Sequence, residues 1–171
     1  MKIFTLLLAT VLVNSVHADT PLPPPKKLKV CSTFKKLCAI SDPVKNVTFL
    51  LTNVSGQKPW KIAGWHQWMF LSDDGESAVI GYAGMNLLPQ DVQLSEPVLF
   101  FYNRGKLVRT VKLDELYRSK SQLRRTVSHF AWVNQLGFND AHQFVIELVN
   151  GNKVAFAART GDVEPIQLDG K

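Results

Sequence analysis

Short glycine turns recur between apolar runs along this chain: Asp73-Asp74-Gly75, Asn103-Arg104-Gly105 and Asn150-Gly151. Asn-Gly and Asp-Gly tolerate positive φ and close tight hairpins, so each turn is expected to join two antiparallel strands. The flanking runs suit that role. "QWMFL" meets the first turn and "SAVIGY" returns from it; "PVLFFY" meets the second and "KLVRTVKL" returns; "FVIELV" meets the third and "KVAFAA" returns. Upstream, "VCST" and "LCAIS" flank Phe34-Lys35-Lys36, and "NVTFLLT" alternates about Val47, Phe49 and Leu51. A turn, an apolar strand, a second apolar strand and a glycine turn follow one another three times in the chain. That is the strand order of a propeller blade or β-meander. The chain is therefore expected to be mostly β, with antiparallel hairpins and meanders in a propeller-blade-like or sandwich arrangement. Closed propellers have roughly four to eight blades. The units are thus expected to pack as a sandwich, to form a partial array, or to be completed by a second copy.

Three stretches break the hairpin rhythm. "LDELYRSKSQLRR" reads as one short helix near 114–124, with Asp114 placed to cap its start and Leu116, Tyr117 and Leu123 along one face. Arg118, Lys120, Arg124 and Arg125 crowd its polar side and end, where cations suit the helix dipole. "WHQWMFL" at 65–71 reads as a strand with Trp65, Gln67, Met69 and Leu71 on one face and His66, Trp68 and Phe70 on the other. Both faces are mostly apolar, as in a strand covered on both sides. Trp60, Trp65 and His66, at its entrance, are candidates for an aromatic binding patch; the alternative is structural packing. Residues 83–97, "AGMNLLPQDVQLSEP", interrupt the second unit. Met85, Leu87 and Leu88 there either belong to a recognition loop, replaceable by a Gly/Ser link without loss of the fold, or cap the open end of a sheet.

The N-terminus carries an address. Lys2, the apolar run Ile3 to Val13 and the small residues Val16-His17-Ala18 ahead of Asp19 form a secretory signal peptide over 1–18. The run is too short to span a bilayer, which needs roughly 20 apolar residues. Residues 19–29, "DTPLPPPKKLK", read as an extended, flexible Pro/Lys-rich segment, and 30–171 as a single β-rich domain. In an exported chain, Cys31 and Cys38 are expected to form a disulfide across a hairpin. A ring of about eight residues stabilises by roughly 2.5 kcal/mol in the chain-entropy model. The spacing suits neither a redox-active pair nor a zinc site.

Charge is segregated within a net of +6. Residues 26–45 hold six lysines against one aspartate, residues 104–125 eight basic side chains against two acidic ones, and the remainder is net acidic. Such basic stretches either meet anionic lipid, glycan or an acidic protein, or keep strand edges and loops soluble.

Motifs for chemistry are missing from the sequence. His66, His129 and His142 sit on separate segments, and Ser128 and His129 are neighbours that point to opposite faces of a strand. No nucleophile elbow, phosphate-cradling loop or zinc-helix motif occurs. No catalytic residue, metal or cofactor is assigned, although the scattered carboxylates, Asp73 and Asp140 for example, leave a glycosidase pair open. Taken together, "FLSDDGESAVIGYAGMNLLP", "VLFFYNRGKLVRTVKLDEL" and "RRTVSHFAWVNQLGFND" resemble a group of uncharacterised secreted bacterial proteins with propeller-like β repeats and no assigned activity. The resemblance spans about Val30 to Gly161 and implies a β-rich fold and export, with no site residues to carry over. The expectation is a periplasmic or secreted, non-enzymatic binding protein that engages another envelope or extracellular protein, possible forms including an immunity protein or inhibitor. The alternatives are a module that holds anionic glycan or lipid through Arg118, Lys120, Arg124 and Arg125, and a cell-envelope hydrolase. No nucleic-acid partner is expected, and no membrane span after cleavage.

Overall fold

The computed structural model describes residues 23–167. The signal peptide expected at 1–18 and the start of the Pro/Lys-rich segment lie outside them. Residues 23–27 take no part in any strand, and pairing begins at Leu28, inside the segment read as a tether. The first sheet is a meander of β1 (Leu28–Cys31), β2 (Leu37–Asp42), β3 (Val47–Thr52) and β4 (Trp60–Ala63). The second holds β5 (Met69–Leu71) and β6 (Ser77–Gly81). After the insertion that contains β7 (Leu87–Pro89), it continues with β8 (Pro97–Asn103) and β9 (Lys106–Lys112). A small fourth sheet pairs β7 with β11 (His129–Ala131), and β11 with β10 (Arg124–Arg125). The third sheet runs β12 (Val133–Phe138), β13 (Gln143–Leu148), β14 (Lys153–Ala157) and β15 (Val163–Glu164). All pairings are antiparallel, and the turn glycines Gly75, Gly105 and Gly151 have φ of 77°, 83° and 84°.

Alternation along the strands sorts the apolar side chains into two cores, one on each side of the second sheet. On one side Met69, Leu71, Ala78 and Ile80 meet Leu37, Ala39, Leu50 and Ile62 of the first sheet. On the other, Val79, Leu99, Phe101 and Val111 meet Phe144, Ile146, Leu148 and Phe156 of the third. Phe101 stands edge-on to Phe144 with ring centroids 5.7 Å apart. Every residue of β6 is buried, which is why its sequence runs apolar instead of alternating. The three large sheets thus form successive layers, with β5 beside β1 and β2 on one flank and β12 on the other. The described residues form no closed barrel or propeller ring.

One expected element is replaced by irregular structure and another is shortened. The helix near 114–124 does not form; the chain makes two separate 3-10 turns, Leu113–Glu115 and Lys120–Gln122. Side chains take the bonds a helix would have used. Gln122 Oε1 accepts the N–H of Arg118 at 2.7 Å and that of Ser119 at 3.3 Å. Tyr117 is pinned as well: its hydroxyl donates to the Trp132 carbonyl and accepts the Val149 N–H at 3.1 Å. The strand expected over 65–71 is restricted to Met69–Leu71. Trp65 to Trp68 form the connection between two sheets, and Trp68 lies against Gly81, where a Cβ would come within 2.3 Å of its ring.

Candidate functional site

The first sheet has one face in the core and one turned outward. Register places Cys31, Cys38 and Leu51 in one outward row, Cys38 itself buried, and Lys29, Ile40, Phe49 and Lys61 in the next. Phe49 is 39% exposed and Leu51 42%. The alternating residues Val47, Phe49 and Leu51 therefore face outward, while Thr48 and Leu50 point into the buried side. Cys31 and Cys38 are directly opposed and bonded, S–S 2.03 Å, tying edge strand β1 to β2 within this face. Lysines border it: Lys29 and Lys61 on the strands, Lys35, Lys36 and Lys45 at the turns, all exposed. The one carboxylate in the outward rows, Asp42, is held below the usual carboxylate range by the backbone N–H of Lys45, at 3.1 Å, and that of Val44. The face is an apolar patch with a cationic border.

The third sheet turns a different surface outward. Gln135, Gly137, Val145, Glu147 and Lys153 line a hollow of about 330 Å³ together with Ile166 and Gln167. The chain after β15 is fastened beside it by buried Gln143, whose Nε2 donates to Glu164 at 2.7 Å and to the Pro165 carbonyl at 2.8 Å. Its Oε1 accepts the Gln167 N–H at 2.7 Å.

The residues singled out from sequence fall into separate places. Trp60 opens β4 and packs partly into the first core. With Lys58, Glu76 and Arg104 it walls a cleft of about 340 Å³, and its indole N–H is buried with no acceptor among the described residues. Trp65 and His66 lie past the other end of β4, so the three do not form one patch. Trp65 donates its indole N–H to the Lys26 carbonyl at 2.8 Å, anchoring the incoming chain. His66 caps the sheet: its backbone N–H donates to Ser41 Oγ at 2.7 Å and its Nε2 bonds the Ala63 carbonyl at 2.9 Å. A carbonyl only accepts, so Nε2 carries the proton. Burial lowers the pKa of His66, against the Ala63 bond that raises it.

The insertion is built into the second core. Leu88 is fully buried and Val92 is 5% exposed, and the Met85 and Asn86 carbonyls accept the Trp132 indole N–H at 2.9 Å and backbone N–H at 3.2 Å. Met85 and Leu87 are half-buried. Arg124 and Arg125 form β10, so the fourth sheet brings these two cations and Leu87 and Leu88 onto strands that share β11 as neighbour. Both arginines are exposed, and Arg124 donates to Asn134 Oδ1 at 3.1 Å. Arg118 and Lys120 lie in the chain ahead of them, Arg118 exposed and Lys120 half-exposed.

The turn at Asp73-Asp74-Gly75 reaches further than its local sequence signals. Asp73 Oδ1 accepts the Ser32 hydroxyl at 2.5 Å and the Phe34 N–H at 2.9 Å, both in the β1–β2 turn. Asp74 Oδ1 accepts the N–H groups of Glu76 and Ser77, and Oδ2 accepts the Ser77 hydroxyl at 2.7 Å. Arg159, from the loop after β14, stands 3.4 Å from Asp74 and 3.5 Å from Glu76. Glu76 also pairs with Arg104 and accepts from Gln57 at 2.9 Å. Burial pushes the Asp74 carboxyl upward, but the Glu76 and Ser77 donors and the Arg159 charge outweigh it, leaving its pKa below the ordinary value. One turn of the second sheet therefore ties to the first and third, and its carboxylates are occupied in doing so. Among the described residues no three His, Cys, Asp or Glu side chains are placed to hold a metal ion, and no helix is long and apolar enough to cross a membrane. No model of a known protein family matches the chain, and no curated protein is detectably similar to it in sequence.

Proposed function

We propose that the protein is an exported, non-enzymatic binding protein and that the outward face of its first sheet engages another protein. The observation that carries this reading is the apolar outward surface around Phe49, Leu51 and the Cys31–Cys38 bridge, bordered by lysines. A strand face exposed to water for its own sake alternates apolar-in and polar-out; β3 places apolar side chains on both faces. Contiguous apolar patches with polar rims are typical of interaction sites. Covering the exposed parts of Phe49 and Leu51 is worth roughly 1 kcal/mol each. We read the three layered meanders as consecutive blades of propeller type, in an array open at the first sheet. Export, read from the signal peptide, supplies the oxidising compartment the disulfide requires.

A photoreactive phenylalanine analogue at position 49 tests the reading in cells that export the protein. Irradiation is expected to give a discrete protein adduct, and the same group at exposed Asn152, in the β13–β14 turn, is expected to give none. Absence of an adduct at 49, or equal labelling at 152, refutes the assignment of this face.

A further inference from the structure

Resting on that reading, we infer that the occupant of the first sheet's outward face is the outward face of the third sheet in a second copy of the chain, stacked head to tail. The internal construction supplies the geometry. Within one chain, first packs on second and second on third, always face to face. The two faces left over are the outward faces of the first and third sheets, the third closed at Gln143 and Ala155, each 1% exposed, and open at its hollow, so placing one on the other repeats a packing step the chain already makes twice.

The two surfaces differ in the ways that complementary partners do. On the first, Phe49 and Leu51 stand out from the sheet. On the third, Gly137 sits in the middle of β12 with no described residue within 4 Å of where a Cβ would be, and it lines the hollow with Val145. Projecting side chains on one face thus meet a recess on the other. Charge agrees. The first face carries Lys29 and Lys61 in the rows that hold Ile40 and Phe49. The third carries Glu147 and Glu164, with Lys153 already 3.8 Å from Glu147. Two like faces would instead oppose lysine to lysine, which disfavours an isologous contact through the first sheet. A head-to-tail contact closes when the rotation allows it. Two copies supply six large sheets, within the range of roughly four to eight blades found in closed propellers. The assembly inferred is therefore a closed dimer with two identical contacts, each joining a first sheet to a third.

Sedimentation velocity of the purified, disulfide-bonded protein over a dilution series tests this directly. A monomer–dimer equilibrium is expected. Leu51→Lys, on one face, and Gly137→Leu, filling the recess on the other, are each expected to weaken it at least tenfold with unchanged thermal unfolding. Direction is read by mixing: a short bis-maleimide should join Phe49→Cys to Gly137→Cys chains in a mixture and neither variant to itself. A protein that stays monomeric at several hundred micromolar, or cross-linking of Phe49→Cys to itself, overturns the inference. A monomer that still forms the adduct at position 49 with a different protein overturns it too, while leaving the broader assignment of the face standing.

Discussion

Gly75 shows how much a single position settles. Its φ of 77° belongs to the region that favours glycine, and a Cβ there would lie 2.5 Å from Gln57 Oε1 and 2.7 Å from Val54 Cγ2. Gln57 is the residue that reaches Glu76 and the Asp74 carbonyl from the first sheet. Gly75→Ala is therefore expected to cost on the order of 2 kcal/mol or more, from backbone strain together with displacement of Gln57. Urea unfolding of the variant beside the parent protein measures it; a loss below about 0.5 kcal/mol means the loop at Val54 and Gln57 yields freely. The hairpin at this turn was legible in Asp-Asp-Gly, because turn chemistry is local. The ties made by its carboxylates were not: Asp73 bonds a partner 41 positions away and Asp74 one 85 positions away. Nothing in the local pattern distinguishes a carboxylate that closes a turn from one that also fastens two other sheets.

Element by element, structure is legible where an apolar run meets a turn signal and obscure where side chains compete with the backbone. In "RSKSQ" the amide of Gln122 takes the N–H groups of Arg118 and Ser119, although Tyr117 and Leu123 still reach the core and Leu116 packs partly against it. In "NVTFLLT" the period was visible, but which half of it faces inward was not. Leu50, in the polar-looking register beside Thr48, is the buried one. The outward direction of Phe49 and Leu51 shows in their exposure and in the pairing of Phe49 with exposed Lys61, which only the sheet reveals. The insertion was open between recognition and plugging, and the burial of Leu88 and Val92 decides its structural part. Leu88→Ala is expected to destabilise by about 2–5 kcal/mol. Replacing residues 86–95 by a short Gly/Ser link is expected to abolish folding, since it removes both side chains along with β7. A replacement variant with a cooperative thermal transition near that of the parent would contradict the structural role given to this segment.

Over the whole molecule, stability is expected to fall in acid in two stages. Burial lowers the His66 pKa, so the unfolded chain binds that proton more readily. The corresponding stability is complete above the ordinary histidine value of about 6.5 and declines as pH falls from there toward the folded value. The Asp74 pKa is also lowered in the fold, so its contribution is complete above the ordinary carboxylate value near 4 and is lost as pH falls through the folded value. Both slopes have the same sign: stability rises with pH. Chemical unfolding at intervals between pH 8 and pH 3 checks this, with His66→Gln expected to flatten the upper stage and Asp74→Asn the lower. A profile that rises toward acid, or is unmoved by either substitution, contradicts the assigned causes.

The burial of β6 on both faces bears on how the molecule comes apart. Its side chains belong alternately to the two cores, so Ala78 and Ile80 lose their cover when the first sheet leaves, and Val79 when the third does. Loss of either outer layer leaves the middle one with a wet apolar side, and the Asp73–Glu76 turn loses ties in the same event. Unravelling one layer at a time, open to arrays in which each repeat touches only its neighbours, is penalised here at its first step. The β6 amides should exchange with solvent only through openings that dismantle the entire stack.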